Sequence, residues 1–298
     1  MTSDQPENTP ATLGNLMAWA VAMLRDAGND TARLDAKILL CEASGVDTSR
    51  ILAWPDDVVS PEKVDLFRAM IARRLAHEPV SRILGRRDFW RHTFKVTKDT
   101  LDPRPDSETL VEWAIECARR FDSPKMIDFG TGTGCLVLSV LGDVPKAFGL
   151  GVDISAGAVA CALENARNLG LAARCDFVVS DWMENLPPET IASGFDMMIS
   201  NPPYIAHSEM VALAPDVRDY DPYGALSDGG DGLGAYRILA DVAARLVRPG
   251  GQVIFEIGQG QEKAVRALLT QHGFDAITER RDLGGIVRCV GGQKQQNT

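Results

Sequence analysis

Over the first eighty positions apolar residues recur three and four apart: Leu16, Ala20, Met23 and Leu24, then Ile38, Leu39 and Leu40, then Val64, Phe67, Ile71 and Leu75. That spacing places them on one face of successive helices. Gly28, Gly45 and Pro55 fall between the runs as breakers. A small helical bundle is predicted for residues 1–80. The period then changes: Phe89 to Thr97 alternates and predicts a short hairpin within a linker spanning 81–104. From residue 105 to 298 short apolar runs alternate with helical stretches. Strands are predicted at Lys125–Phe129, Ala147–Val152, Arg174–Ser180, Phe195–Ser200, Gln252–Ile257, Phe274–Arg280 and Ile286–Val290. Helices are predicted at Cys135–Leu141, Ala156–Leu169, Tyr236–Val247 and Glu262–Gln271. Such alternation argues a parallel, doubly wound α/β sheet, with the last hairpin adding an antiparallel strand.

Two motifs carry chemistry. The first strand, through Asp128 and Phe129, runs into Gly130-Thr131-Gly132-Thr133-Gly134 and then a helix. Glycines there permit tight dihedrals and let a nucleotide-like ligand approach bare backbone. The spacing is G-x-G-x-G, not the G-x-G-x-x-G of pyrophosphate binders, and there is no G-x-x-x-x-G-K-[ST] loop. The next strand ends in Asp153, about 20 residues beyond, where doubly wound folds hold ribose hydroxyls. The third ends in Asp181-Trp182, a carboxylate and an aromatic suited to the edge and face of an adenine. The second motif is Asn201-Pro202-Pro203-Tyr204, at the end of the apolar run Phe195 to Ser200. A side-chain amide carbonyl, two ring-locked peptides and an aromatic face suit a planar nitrogen held by its N–H groups. Methyl transfer to an amino or amide nitrogen is the chemistry expected.

Together these segments resemble the HemK/PrmC family of protein-(glutamine) methyltransferases, and the resemblance covers most of the chain. It includes Glu78-Pro79-Val80 with Ile83-Leu84-Gly85 and Phe89-Trp90, then Pro103-Arg104-Pro105-Asp106-Ser107-Glu108, the glycine turn, Asp153, Asp181-Trp182, the tetrapeptide, and Gly229-Gly230-Asp231-Gly232-Leu233. The resemblance implies a class I, Rossmann-like methyltransferase domain of seven strands over 105–298, behind a helical substrate-recognition domain. It implies S-adenosylmethionine as methyl donor, bound by Asp128, Gly130 to Gly134, Asp153, Asp181, Trp182 and Asn201. It implies as acceptor the glutamine amide of the Gly-Gly-Gln motif of peptide chain release factors, contacted by Asn201 to Tyr204 and by Arg104. Arg104-Pro105-Asp106 resembles the release-factor enzymes' linker, whereas ribosomal-protein enzymes have a Pro-Arg-Ser-Pro type sequence there. The alternatives are ribosomal-protein glutamine methylation, adenine methylation of DNA, and a non-catalytic binding protein on the same fold. Asp102 departs from the family pattern, in which an apolar residue is usual, and Asp221-Pro222 stands for Glu-Pro. A buried unpaired carboxylate is costly, so Asp102 is expected to be exposed or paired with an arginine.

Asn201 Oδ1 and the Pro202 carbonyl are expected to accept the two amide N–H bonds while Tyr204 packs on the amide plane. Alignment of this kind lowers barriers by about 7–11 kcal/mol in favourable cases, and no dedicated base is needed at the outset. The long stretch from Ala206 to Gly234 is expected to be a substrate-facing lid. Gly250-Gly251-Gln252, at a strand start, and Gly291-Gly292-Gln293, read as a polar tail, copy the substrate tripeptide by coincidence.

Charge bears on the partner. The net is −10, yet residues 1–104 carry fifteen basic and fifteen acidic side chains, and 63–104 carry eleven against five. A basic segment beside an acidic domain can steer an acidic protein partner, whereas duplex DNA demands a basic footprint that the whole lacks. No direct nucleic-acid contact is expected. The six cysteines contain no C-x-x-C and the four histidines no H-E-x-x-H, so no metal is expected and the thiols read as core residues of a reducing compartment. Thr2 to Pro10 lacks a basic n-region, and no apolar run of about 18 residues occurs. A monomeric cytoplasmic enzyme, with no membrane partner, is expected.

Overall fold

A computed structural model describes residues 11–296; the expectation drawn on Thr2 to Pro10 lies outside the described residues. The chain divides into two compact units that meet in sequence between Leu84 and Gly85.

The first unit holds helices Leu13–Asp26, Ala32–Ser44, Thr48–Ala53, Pro61–Leu75 and Val80–Leu84. Local chemistry sets their ends. The Thr12 and Asp47 side chains accept the N–H groups of Asn15 and Arg50, Pro61 opens the fourth helix, and Gly45 closes the second at φ +70°. Side-chain caps are worth about 1 kcal/mol each. Leu16, Leu24, Leu39, Leu40, Phe67 and Ile71 are buried together as the periodicity predicts, while Met23, Ile38 and Leu75 sit at the margin. Asp35 is buried against Arg74, whose Nε lies 2.7 Å from its carboxylate.

The second unit opens with a hairpin, β1 (Arg86–Phe89) and β2 (His92–Lys95). It begins at Arg86 rather than at Phe89, because the chain turns at Trp90, which takes φ +54°. Tertiary bonds hold that conformation: Trp90 donates its backbone N–H to Glu108 and its indole N–H to Asp143, both at 2.8 Å. Phe89 and Phe94 pack edge to face and share a core with Leu110, Val111 and Leu141. The hairpin therefore belongs to the second unit, whereas Ser81 to Leu84 of the expected linker close the helical one.

The main sheet contains β3 (Lys125–Phe129), β4 (Phe148–Asp153), β5 (Cys175–Val179), β6 (Phe195–Ser200), β7 (Val247–Glu256), β8 (Phe274–Arg281) and β9 (Val287–Lys294), in the order β5-β4-β3-β6-β7-β9-β8. β3 to β7 run parallel, and β9 inserts antiparallel between β7 and β8. This is the seven-stranded doubly wound sheet expected. Helices Glu108–Ala118 and Cys135–Asp143 bury one face; Gly234–Leu246 and Glu262–Gln271 bury the other. Strands covered on both faces read as continuous apolar runs, which is why β3 and β6 were plain in the sequence. The chain crosses from one half of the sheet to the other between β3 and its neighbours β4 and β6, so a crevice opens above the C-terminal ends of β3, β4 and β6.

One expectation changes here. Gly291-Gly292-Gln293 is not a polar tail: it lies inside β9, and Gln252 and Gln293 face each other across the β7/β9 ladder. A side chain at Gly291 would meet the Val253 carbonyl at 2.6 Å, so these glycines serve close strand approach. The stretch from Ala206 to Gly234, expected to be a lid, has local structure of its own. It forms short helical turns at His207–Ala212, Pro215–Arg218 and Tyr223–Leu226, and the Asp228 carboxylate accepts the N–H groups of Gly230, Gly232 and Gly234.

Candidate active site

The glycine turn is fixed from below. Gly130, Gly132 and Gly134 take φ of +68°, +54° and +78°, a region that costs other residues about 1–2 kcal/mol each. Gly130 and Thr131 donate their N–H groups to the Val152 carbonyl, at 2.9 and 3.0 Å. Beneath them Thr131 Oγ1 donates to Asp128 Oδ2 at 2.7 Å. Asp128 is fully buried, and burial, reinforced by nearby Asp153 and opposed by the Thr131 bond, pushes its carboxyl up to about 7. Asp128 and Gly134 thus stand behind the turn, while Gly130, Thr131, Gly132 and Thr133 face the crevice.

Asp153 ends β4 at the rim. Its two oxygens accept the N–H groups of Gly132 and Ser155, each at 2.9 Å. Burial outweighs these bonds and raises its pKa above the ordinary carboxylate value. A carboxylate carries about four acceptor sites, so capacity remains for hydroxyl donors. Beyond β5, Asp181 is exposed and Trp182 takes φ +47°, its ring 6.3 Å from that of Phe129. All of these line one cavity of about 440 Å³, within the range of small-molecule sites.

The far wall is the tetrapeptide. β6 is tied to β3 where Ser200 Oγ donates to the Phe129 carbonyl at 2.7 Å, and Asn201 follows directly. Asn201 and Pro203 line the same cavity, Pro202 is buried behind them, and Tyr204 lies outside its wall. Asn201 Nδ2 donates to Ser107 Oγ at 3.3 Å, and the Tyr204 carbonyl accepts from Gln261 Nε2 at 3.0 Å. Burial raises the Tyr204 hydroxyl pKa, and Glu256 adds to the shift. Two motifs about seventy residues apart therefore share one crevice.

Comparison with known proteins bears on the family of the chain. Residues 15–85 match the PrmC N-terminal domain family, and residues 105–216 match the methyltransferase small domain. A release factor glutamine methyltransferase of Rhodospirillum rubrum is 43% identical over 286 residues, covering 96% of this chain and 86% of its own length. One from Cereibacter sphaeroides is 44% identical over 271 residues, covering 91% and 94%, and one from Caulobacter vibrioides 39% over 285, covering 95% and 97%. The chain belongs to the release factor glutamine methyltransferase family. Among solved structures, the catalytic domain of hMettl16 in complex with an RNA hairpin superposes with a TM-score of 0.55 at 15% identity, covering 69% of this chain and 76% of that one. That likeness concerns the fold alone.

In this family member Arg104 also lines the cavity, but its Nη2 lies 2.5 Å from Asp221 Oδ2, whose side chain is fully buried. Asp221 Oδ1 accepts the Asp102 N–H at 3.3 Å as well. The Asp221-Pro222 departure thus anchors the 206–234 segment to residues 102–104. Asp102 is buried and paired with an arginine, as one of the two expected outcomes has it: Arg87 Nε lies 4.0 Å from its Oδ1, which has no hydrogen-bond partner among the described residues.

Sequence reading missed two residues beside Asn201. Ser107 is buried and accepts the Asn201 amide. Glu256 ends β7 beside Asn201, and burial pushes its carboxyl up to about 7, while the Ser107 hydroxyl, Arg288 and the Asn201 amide pull the other way. The only sequence signal was a lone carboxylate inside the apolar run Val253 to Ile257. Among the described residues no cluster suited to a metal occurs, and no helix is long and apolar enough to cross a membrane.

Proposed function

We propose that this protein transfers a methyl group from S-adenosylmethionine to the side-chain amide nitrogen of the glutamine in the Gly-Gly-Gln motif of peptide chain release factors, and so modulates translation termination. The observation that carries the reading is the placement of Asn201 on the wall of the cavity that also holds the glycine turn and Asp153. When bound, S-adenosylmethionine supplies an electrophilic methyl group on its sulfonium sulfur.

The donor's fit is supported by chemistry on the walls. Asp153 presents a carboxylate to ribose hydroxyls, Asp181 and Trp182 offer an edge acceptor and a face to an adenine, and Gly130 to Thr133 let backbone approach closely. Asp128 and Gly134 act behind them, by holding the turn. On the acceptor side the glutamine amide must lose a proton as its nitrogen gains a carbon. Asn201 Oδ1 and the Pro202 carbonyl are the acceptors we assign to its two N–H groups, and carbonyl dipoles so placed stabilise positive charge developing on nitrogen. Pro202 and Pro203 restrict the backbone that aims them. Tyr204 packs against the amide plane. Arg104 serves this site through its pairing with Asp221.

Residues 1–80 are assigned the grip on the release factor, with the basic stretch 63–104 meeting an acidic partner surface, and the 206–234 segment is assigned the role of lid. The enzyme is taken to act as a cytoplasmic monomer. The direct test presents labelled methyl donor together with purified unmethylated release factors, ribosomal proteins and DNA, followed by mass mapping of the product. Label on the Gly-Gly-Gln glutamine is expected; label confined to a ribosomal protein or to DNA overturns the assignment.

A further inference from the structure

Glu256 has no part in the chemistry described so far, yet its position is unusual. It closes β7, and the register that sets Ser200 opposite Phe255 brings it beside Asn201. It is 1% exposed, and its Oε2 has no hydrogen-bond partner among the described residues. An incompletely satisfied buried carboxylate is costly, and an apolar residue would complete the strand without that cost. Its neighbours include the Ser107 hydroxyl and the Asn201 amide, and the charges of Arg288 and Asp106 act on it. Tyr204, Tyr236, Cys135 and Cys289 also lie within its electrostatic reach.

We propose that Glu256 is a positioning residue, which with Ser107 fixes the Asn201 side-chain amide with its NH2 group turned inward and its Oδ1 turned toward the acceptor amide. The proposal rests on the methyl-transfer reading of the cavity. Its physical basis is the near-symmetry of an amide. Oxygen and NH2 have almost the same shape, so hydrogen-bond partners alone decide which way an asparagine points. Ser107 cannot decide it, because a hydroxyl both donates and accepts. An ionised carboxylate only accepts, so it admits the NH2 side and rejects the oxygen. The Tyr236 hydroxyl donates to the Glu256 backbone carbonyl at 2.8 Å, which keeps the strand end in place. Once protonated, Glu256 gains a donor and the selection weakens. The ionised, selecting form accumulates as pH rises through about 7.

The test follows the Asn201 side-chain NH2 signals in ¹⁵N-labelled full-length protein across that pH range, assigned by their loss in Asn201→Asp, and measures kcat on unmethylated release factor in parallel. In the wild type the signals should shift, and kcat should rise, with a shared midpoint near 7. Glu256→Gln should abolish both pH dependences and lower kcat by about 10- to 100-fold, the range for groups that orient a site's ligands, while affinity for S-adenosylmethionine by calorimetry is unchanged. Glu256→Asp, which keeps the acceptor-only group, should recover part of kcat. Asn201 signals that do not titrate in the wild type overturn the proposal even if no variant folds, and so does a Glu256→Gln enzyme with wild-type kcat and pH profile. Signals that titrate in a protein that methylates no release factor leave the positioning intact and refute the assigned substrate instead.

Discussion

The two ends of the cavity are built from different materials. At the donor end the backbone does the work: three glycines at positive φ, N–H groups bound to the Val152 carbonyl and to Asp153, and a buried Thr131–Asp128 bond beneath. At the acceptor end the work falls to side chains: Asn201 held by Ser107 beside Glu256. A backbone conformation is insensitive to protonation but intolerant of volume. A side-chain network tolerates volume better and responds to pH. The ends should therefore fail differently.

The largest effect is expected from filling space under the glycine turn. A side chain at Gly151 would collide with the Phe177 ring and come within 2.9 Å of Thr131 Oγ1. Overpacking of this kind costs about 1–3 kcal/mol or more, so Gly151→Leu should lower the melting temperature and abolish S-adenosylmethionine binding, read by thermal denaturation and calorimetry. Retained binding would show that the turn is not supported from β4.

Next in size is Asp153→Asn. It keeps the shape but weakens hydrogen bonds to charged oxygens worth about 1.5–3 kcal/mol, so affinity for the donor should fall about 10- to 100-fold. Turnover at saturating donor should change far less, which keeps the two ends distinct.

Arg104→Met should act on stability. Losing the contact with Asp221 should cost about 1–3 kcal/mol and shift the melting temperature, with little change in KM for the release factor. A large rise in that KM with stability intact would return Arg104 to direct substrate contact.

The smallest effect concerns pH. Burial holds Glu256 at about 7, above its unfolded value. It therefore binds its proton more tightly when folded, and the stability it contributes is full below the ordinary carboxylate range and is lost as pH rises through about 7. Relative to wild type, Glu256→Gln should gain thermal stability as pH is raised across that interval. An unchanged difference at all pH values would show that Glu256 titrates normally.

The donor end was legible in the sequence because its information is local. The positive φ of the turn at 130–134 is written as glycine, and Asp153 follows directly on an apolar strand. Much of the acceptor end was not, because it depends on sheet order. Nothing near Glu256 in the chain indicates that β7 lies beside β6, nor does anything near Ser107 indicate Asn201, ninety-four residues away. Trp90 hid the hairpin turn for a similar reason: its positive φ is held by Glu108 and Asp143, not by its own preference. Gly291 and Gly292 were misread since their need for closeness appears only once β9 has paired with β7. The three long helices of the first unit were legible by periodicity, whereas the short helices Thr48–Ala53 and Val80–Leu84 hold too few turns to show one.

The most direct test of separate donor and acceptor ends is Asn201→Ala, assayed twice on the same preparation: calorimetric binding of S-adenosylmethionine, and methyl transfer to an unmethylated release factor followed by mass. Donor binding close to wild type with transfer abolished is the predicted result. Methylation of the Gly-Gly-Gln glutamine surviving at a rate near wild type, or loss of donor binding together with transfer, would contradict it.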